Sequence, residues 1–207
     1  MKQTLKEHTR RYQKTEHKLV VAASEISSLA NKEVFTVKGL AYRARVSAST
    51  FYRHFRNMLD FSNHHIDIIR QASEELLVHL NTQEALAPEM VFFQINRMIY
   101  IHRTSVRFLF ASEKDYAIRQ VFWILKPLVT KNWASYGALL DQRIYCYFVV
   151  EATEAIRLWV IADGFRREHI DIVTSQQAFL AKKVSSAIMP IVKMEESDIV
   201  AIPDNYL

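Results

Sequence analysis

The chain has 207 residues, 50% of them hydrophobic, with three glycines and four prolines. That length is enough to bury a substantial core, but so few turn-forming residues exclude an all-β sandwich with its many hairpins and suit helices on short connections. The net charge of +5 is unevenly spread: residues 1–60 hold 12 Lys/Arg against 5 Asp/Glu, and residues 61–207 hold 15 against 17. A basic head on a near-neutral body is the footprint of a module that touches a polyanion.

The single cysteine, Cys146, cannot staple the chain to itself and fits a reducing, cytoplasmic setting. No apolar segment follows the first charges, so no secretory signal is expected. The stretch from Ile144 to Ala162 is apolar but interrupted by Glu151, Glu154 and Arg157. At ~20 residues it has the length to cross a bilayer, and its charges argue against that.

In chain order, residues 1–14 (Lys2, Lys6, Arg10, Arg11, Lys14) lack apolar periodicity and read as a flexible basic arm. Thr15 caps a predicted helix to about Asn31, with Leu19, Ala22, Ala23, Ile26, Leu29 and Ala30 at helical spacing. Thr36 caps a short helix over Val37–Ala44, Arg45 and Val46 turn, and Ser47 caps a third helix to about His54. A fourth runs from about Leu59 to Leu80, and Asn81–Ala87 is the first break. Pro88 opens a helix to Arg103, followed by a short one over Thr104–Ala111. Asp115–Trp133 is helical, kinked or split by Pro127. Leu140–Asp163 is the longest apolar helix and stops at Gly164; Ile170–Met189 is the last, before a tail at 191–207. The expected fold is all-α, with about nine helices.

Residues 36–55 form the most informative segment. Val37, Leu40, Ala41, Ala44, Val46, Phe51 and Phe55 point inward: small alanines let two helices cross closely, and the phenylalanines anchor the third helix by one face. Ser47, Ala48, Ser49, Tyr52 and Arg53 are left outward. A short helix opening on small polar residues suits a major groove about 12 Å wide.

This pattern resembles the TetR family of bacterial transcriptional regulators. The residues that carry the resemblance are Thr36, Leu40-Ala41, Ala44-Arg45-Val46-Ser47 and Thr50-Phe51-Tyr52-Arg53-His54-Phe55, with the Ala22-Ala23 helix and Phe35 before them. It covers about residues 15–65. It implies a helix-turn-helix DNA-binding domain at 15–65 with its motif at 36–55, and a helical effector-binding and dimerisation domain at 66–190. Tyr52 is then expected on a phosphate, Thr36, Lys38, Ser47, Ser49 and Thr50 on phosphate or groove, and Ala48, Arg53 and His54 at base edges. Two positions depart from the pattern: Arg45 replaces the turn glycine, and Met58 stands where the family opens its fourth helix with a phosphate-binding lysine. Arg45 adds charge beside the DNA, and Arg56 is the candidate substitute for the lysine.

The body shows no phosphate-binding glycine loop, no catalytic Ser/His/Asp arrangement and no metal-ligand cluster, so neither an enzyme, a cofactor nor a metal is expected. On the helix from Arg143 to Ala162 the charged residues take about a third of the circumference, and the apolar remainder asks for burial on two sides. The resemblance implies a homodimer through the last two long helices, here Tyr145, Val149, Ala152, Ile156, Trp159 and Phe179. It also implies an effector pocket, for which Phe93, Tyr100, His102, Phe108, Phe122, Trp123, Tyr147 and Glu151 are the candidates. The expected function is a sequence-specific regulator of a pseudo-palindromic operator, most simply a repressor released by a small molecule. The alternative is a diverged partner protein or co-activator with weak DNA binding.

Overall fold

The computed structural model describes residues 2–26, 36–82, 86–112, 114–132, 142–161 and 163–188, and every regular element among them is helical. In order these are α1 (Lys2–Ile26), α2 (Val37–Arg43), α3 (Ala48–His54), α4 (Met58–Asn81), α5 (Pro88–Ile101), α6 (Arg103–Ala111), α7 (Tyr116–Ile124), α8 (Lys126–Asn132), α9 (Gln142–Ile161) and α10 (Ile170–Ile188), with a 3-10 turn at Arg167–His169. The expected ends at Asn31, Trp133, Leu140 and Met189, the residue Phe35 and the tail at 191–207 lie outside the described residues.

Of the arm expected at residues 1–14, residues 2–14 are instead the first half of α1. Thr15 does not cap: its Oγ1 donates to the Arg11 carbonyl at 3.1 Å, a bond made one turn back inside a continuing helix. The residues before it include no Gly or Pro and many good helix formers. Extending a nucleated helix costs far less than starting one, so a polar stretch without apolar periodicity still propagates.

Pro127 splits its segment rather than kinking it. α7 ends with the Leu125 N–H bonded to Val121 O and Trp123 O, and Pro127 enters the first turn of α8, where a missing N–H leaves nothing unpaired.

α4 is the spine of the molecule. Its Phe61 meets Phe51 and Phe55 of the α3 segment, and its length packs on α5, α6 and α7. One continuous core runs from Leu19 through Phe51, Phe61, Phe108 and Phe148 to Ala181. The link from head to body is aromatic: Phe51 meets Phe61 at 6.0 Å between ring centroids, and Phe61 meets Phe108 at 5.1 Å. The boundary expected at residues 65 and 66 therefore falls inside one helix and one core. At the far end, α5, α9 and α10 are tied by a buried polar network. Asn96 Nδ2 donates to Thr174 Oγ1 (3.1 Å) and Gln177 Oε1 (2.9 Å), and Gln177 Nε2 donates to Ala152 O (3.2 Å).

Candidate nucleic-acid interface

The segment 36–55 folds as two short helices that pack on one another across a tight turn. Thr36 Oγ1 accepts the Gly39 N–H at 3.1 Å and starts α2. At its end, Val46 N donates to Ala41 O (2.9 Å) and Arg45 N to Tyr42 O (3.0 Å), the paired closure of a Schellman motif. That motif needs a left-handed residue, and Arg45 supplies it at φ +53°. Ser47 Oγ accepts the Thr50 N–H at 3.0 Å and starts α3. Phe51 is fully buried and Phe55 nearly so, with Leu40, Ala41 and Ala44 beneath them. Their rings sit 5.6 Å apart, and Phe55 meets Phe61 edge-on at 5.0 Å. One face of α3 is thereby fixed to the core.

The opposite face is open to solvent. Ser47, Ser49, Tyr52 and Arg53 are exposed, Ala48 and Thr50 half-buried, and Thr36, Lys38 and Arg45 are exposed on α2 and the turn. The hydroxyls of Ser47, Ser49 and Thr50 form a short chain, with Ser47 Oγ 2.8 Å from each of the other two. Arg53 Nη2 donates to Thr50 Oγ1 at 3.1 Å, which lays the guanidinium along the helix. Tyr42, 87% exposed on α2 beside the turn, was not among the expected residues.

His54 does not join that face. Its ring is 6% exposed, stacked on Tyr12 of α1 at 3.9 Å, with its Nδ1 3.8 Å from Glu16 Oε1. Burial lowers its pKa, against the opposing pull of Glu16. The resemblance implied a base contact for His54; the N-terminal half of α1, expected to be a flexible arm, covers it instead.

That covering creates a cleft of about 790 Å³ between α1 and α3, lined by Arg11, Tyr12, Lys14, Thr15, Lys18, Thr50, Arg53 and His54. Arg11, Lys14 and Lys18 follow at three and four residues, so they share one face of α1. This spacing was the available signal in the sequence, and reading residues 1–14 as an arm concealed it.

At the start of α4, Met58 is half-buried against the core. Arg56 donates from its Nη2 to Asp60 Oδ1 (3.2 Å) and from its backbone N to Asp60 Oδ2 (2.9 Å). Asn57 Oδ1 caps the helix through the Asp60 N–H at 2.9 Å. These bonds hold the Asp60 carboxyl below, and the Arg56 guanidinium above, their ordinary pKa values.

In the body no cavity described among these residues brings the expected pocket residues together: His102 lines one cleft and Glu151 another. Phe108 and Phe122 are wholly buried core. Tyr100 stacks on Trp159 at 6.0 Å, Trp123 packs edge-on against Tyr145 at 5.1 Å, and Phe93 is half-buried. Tyr147 is 72% exposed on the outer face of α9, where Glu151 is also exposed. His102 lines a different cleft, about 310 Å³, between α1, α4 and α6, with Glu16, His17, His64, His65 and Ser105. There His65 Nδ1 shares a 3.0 Å hydrogen bond with Ser105 Oγ while its buried Nε2 has no partner among the described residues.

The expected interface is corrected in the same way. Tyr145, Val149, Ala152, Ile156 and Trp159 are buried in the chain's own core against α7 and α10, and Tyr145 donates its hydroxyl to Phe122 O. The most regular apolar stripe of α9 is its inward face. The exposed stripe is offset from it: Tyr147, Val150, Leu158 and Ile161, with Glu151 and Glu154 among them, beside Ile172 and Phe179 of α10. Phe179 alone of the six lies on it.

Among the described residues no group of three or more His, Cys, Asp or Glu side chains is placed to hold a metal, and no helix is long and apolar enough to cross a membrane. No family model, no curated protein and no solved structure matches the chain.

Proposed function

We propose that the chain is a sequence-specific DNA-binding transcriptional regulator that works as a homodimer, with α3 as its reading helix. The observation that carries this reading is the two-sidedness of α3. Phe51 and Phe55 lock one face into the core, while Ser49, Tyr52 and Arg53 are exposed to solvent on the other beside a basic surface. The likeness of residues 36–55 to the TetR pattern supports it independently of the packing. On this reading the major groove receives α3, and Arg53 leaves Thr50 to pair with guanine O6 and N7, worth about 1–3 kcal/mol of base discrimination. Tyr52 and the Ser47 and Ser49 hydroxyls hold phosphates.

A single head this small reads only a half-site, so two copies about 34 Å apart are required for a pseudo-palindrome. The offset stripe on α9 and α10, not the buried one, is the face for the second copy. Release by a small-molecule effector belongs to the same proposal. The cleft with His64, His65 and His102 joins α1, α4 and α6, so a ligand there bears on head and body together.

A second reading is a diverged partner protein or co-activator that binds DNA weakly. It is favoured by Met58, which offers no cation, and by Arg56, which is engaged by Asp60. A gel-shift titration of the full chain against the DNA flanking its own gene, at fixed salt, separates the two. The regulator binds that duplex well above a random one and loses the preference in Arg53→Ala and Tyr52→Ala. Equal affinity for both duplexes overturns it in favour of the partner protein.

A further inference from the structure

We infer that the cleft between α1 and α3 is a phosphate-backbone site for duplex DNA, so that the gripping surface includes the N-terminal helix and not α2 and α3 alone. The inference rests on the reading of α3 as the DNA-facing helix and adds a contact surface to it. Arg11, Lys14 and Lys18 of α1 line the cleft with Arg53 of α3, and no carboxylate is among the described residues that line it. Glu16, the nearest acid of α1 in sequence, is turned toward His54 and His64, at 3.8 and 4.0 Å. Thr15 and Thr50 place hydroxyls between the cations, and the Tyr12–His54 stack closes the side of the cleft next to the core.

The length of the basic stripe fits a strand. Arg11 to Lys18 spans seven residues of one helix face, about 10 Å, over which one strand of a duplex carries about three phosphates along its axis. The site is fixed in direction because α1 is held at both ends of the stripe: the Tyr12–His54 stack at its start, and Leu19, Ala22 and Ala23 buried in the core beyond it. Since Arg53 is shared by the cleft and the exposed face of α3, a strand lying on α1 runs along the edge of the groove that α3 would enter.

The test is the salt dependence of binding to a short labelled duplex of random sequence, measured by fluorescence anisotropy with the full chain. Each phosphate contact removed lowers the slope of log K against log salt by about 0.9. Lys14→Ala/Lys18→Ala is expected to lower it by about 2, and to weaken random and preferred duplexes by the same factor. Lys14→Arg/Lys18→Arg keeps the slope. Thr15→Glu, which puts a carboxylate at the centre of the cleft, weakens binding further than the loss of either lysine. Lys182→Ala/Arg167→Ala, a charge loss remote from the cleft, leaves the slope unchanged. Alanine and arginine are good helix formers at these exposed positions, so α1 stays folded, which circular dichroism verifies. An unchanged slope in Lys14→Ala/Lys18→Ala, or an equal fall in the remote variant, overturns the inference. The reading of α3 fails separately, when the wild-type chain shows no preference between flanking and random duplexes.

Discussion

At φ +53°, Arg45 holds a backbone conformation that costs an L side chain about 1 kcal/mol or more relative to glycine. It holds it because Val46 N and Arg45 N must close onto Ala41 O and Tyr42 O for α3 to leave at the required angle. Arg45→Gly is therefore expected to raise stability to urea by about 1 kcal/mol while weakening DNA binding at low salt, since one exposed cation goes with the strain. A loss of stability of similar size would show that the side chain, not the backbone, governs the turn. His65 makes the opposite kind of statement. Burial, with His64 as a lesser neighbour, pushes it down to about 3, so the ring is neutral in the fold. Its ordinary value is about 6.5, so between pH 6.5 and 3 the unfolded chain binds the proton that the folded chain refuses. Stability is complete above pH 6.5 and falls as the pH drops below it. One such group gives up to about 2 kcal/mol between pH 7 and 5, and burial shifts His54 and His102 in the same direction. Urea midpoints across that window should decline with acidification and decline less in His65→Leu. A wild-type slope retained in the variant would assign the dependence elsewhere.

Helices whose signals lie in contiguous residues are legible in the amino-acid sequence alone. Thr36 and Ser47 cap α2 and α3 as expected, because a cap is a bond between residues three apart and needs no tertiary context. Pro88 opens α5 for the same local reason. The expectation failed where an element's fate is decided by a neighbour. Thr15 has the chemistry of a cap but sits mid-helix, since nothing before it stops α1. His54 has the position of a base-reading residue but lies under the helix so extended. On α9 the stripe expected at the dimer interface is the more apolar one, and α7 and α10 of the same chain cover it. The two threonines provide the check at this scale. Thr36→Ala should cost about 1 kcal/mol, the worth of a true cap, whereas Thr15→Ala should be neutral or stabilise by a few tenths, about the difference in helix propensity. Equal losses in thermal or urea unfolding would return Thr15 to the role of a cap and residues 1–14 to an arm.

For the whole molecule the open question is what covers the outer face of α9 and α10. Leu158 is 62% exposed, Ile161 67% and Phe179 59%, too many large apolar side chains on adjacent helices for a surface meant to stay wet. In the proposed homodimer a second copy of this face would cover it. A two-fold interface is self-complementary, and two heads linked through it bind a palindrome with the second half-site presented at high effective concentration. Leu158→Glu/Phe179→Glu removes apolar contact and adds like charges across such a two-fold without touching the core. The expected product is a folded monomer by sedimentation and circular dichroism, with affinity for the flanking duplex reduced by about 10²–10⁴, the usual gain from linked sites. Ile156→Glu separates this from general damage. Because Ile156 is fully buried inside the chain, an unpaired carboxylate there should unfold the subunit rather than release it from a partner. A chain that stays dimeric with Glu at 158 and 179 would move the interface elsewhere. A monomeric wild type would leave the outer stripe without its second copy, and the proposed operator without a reader for its other half.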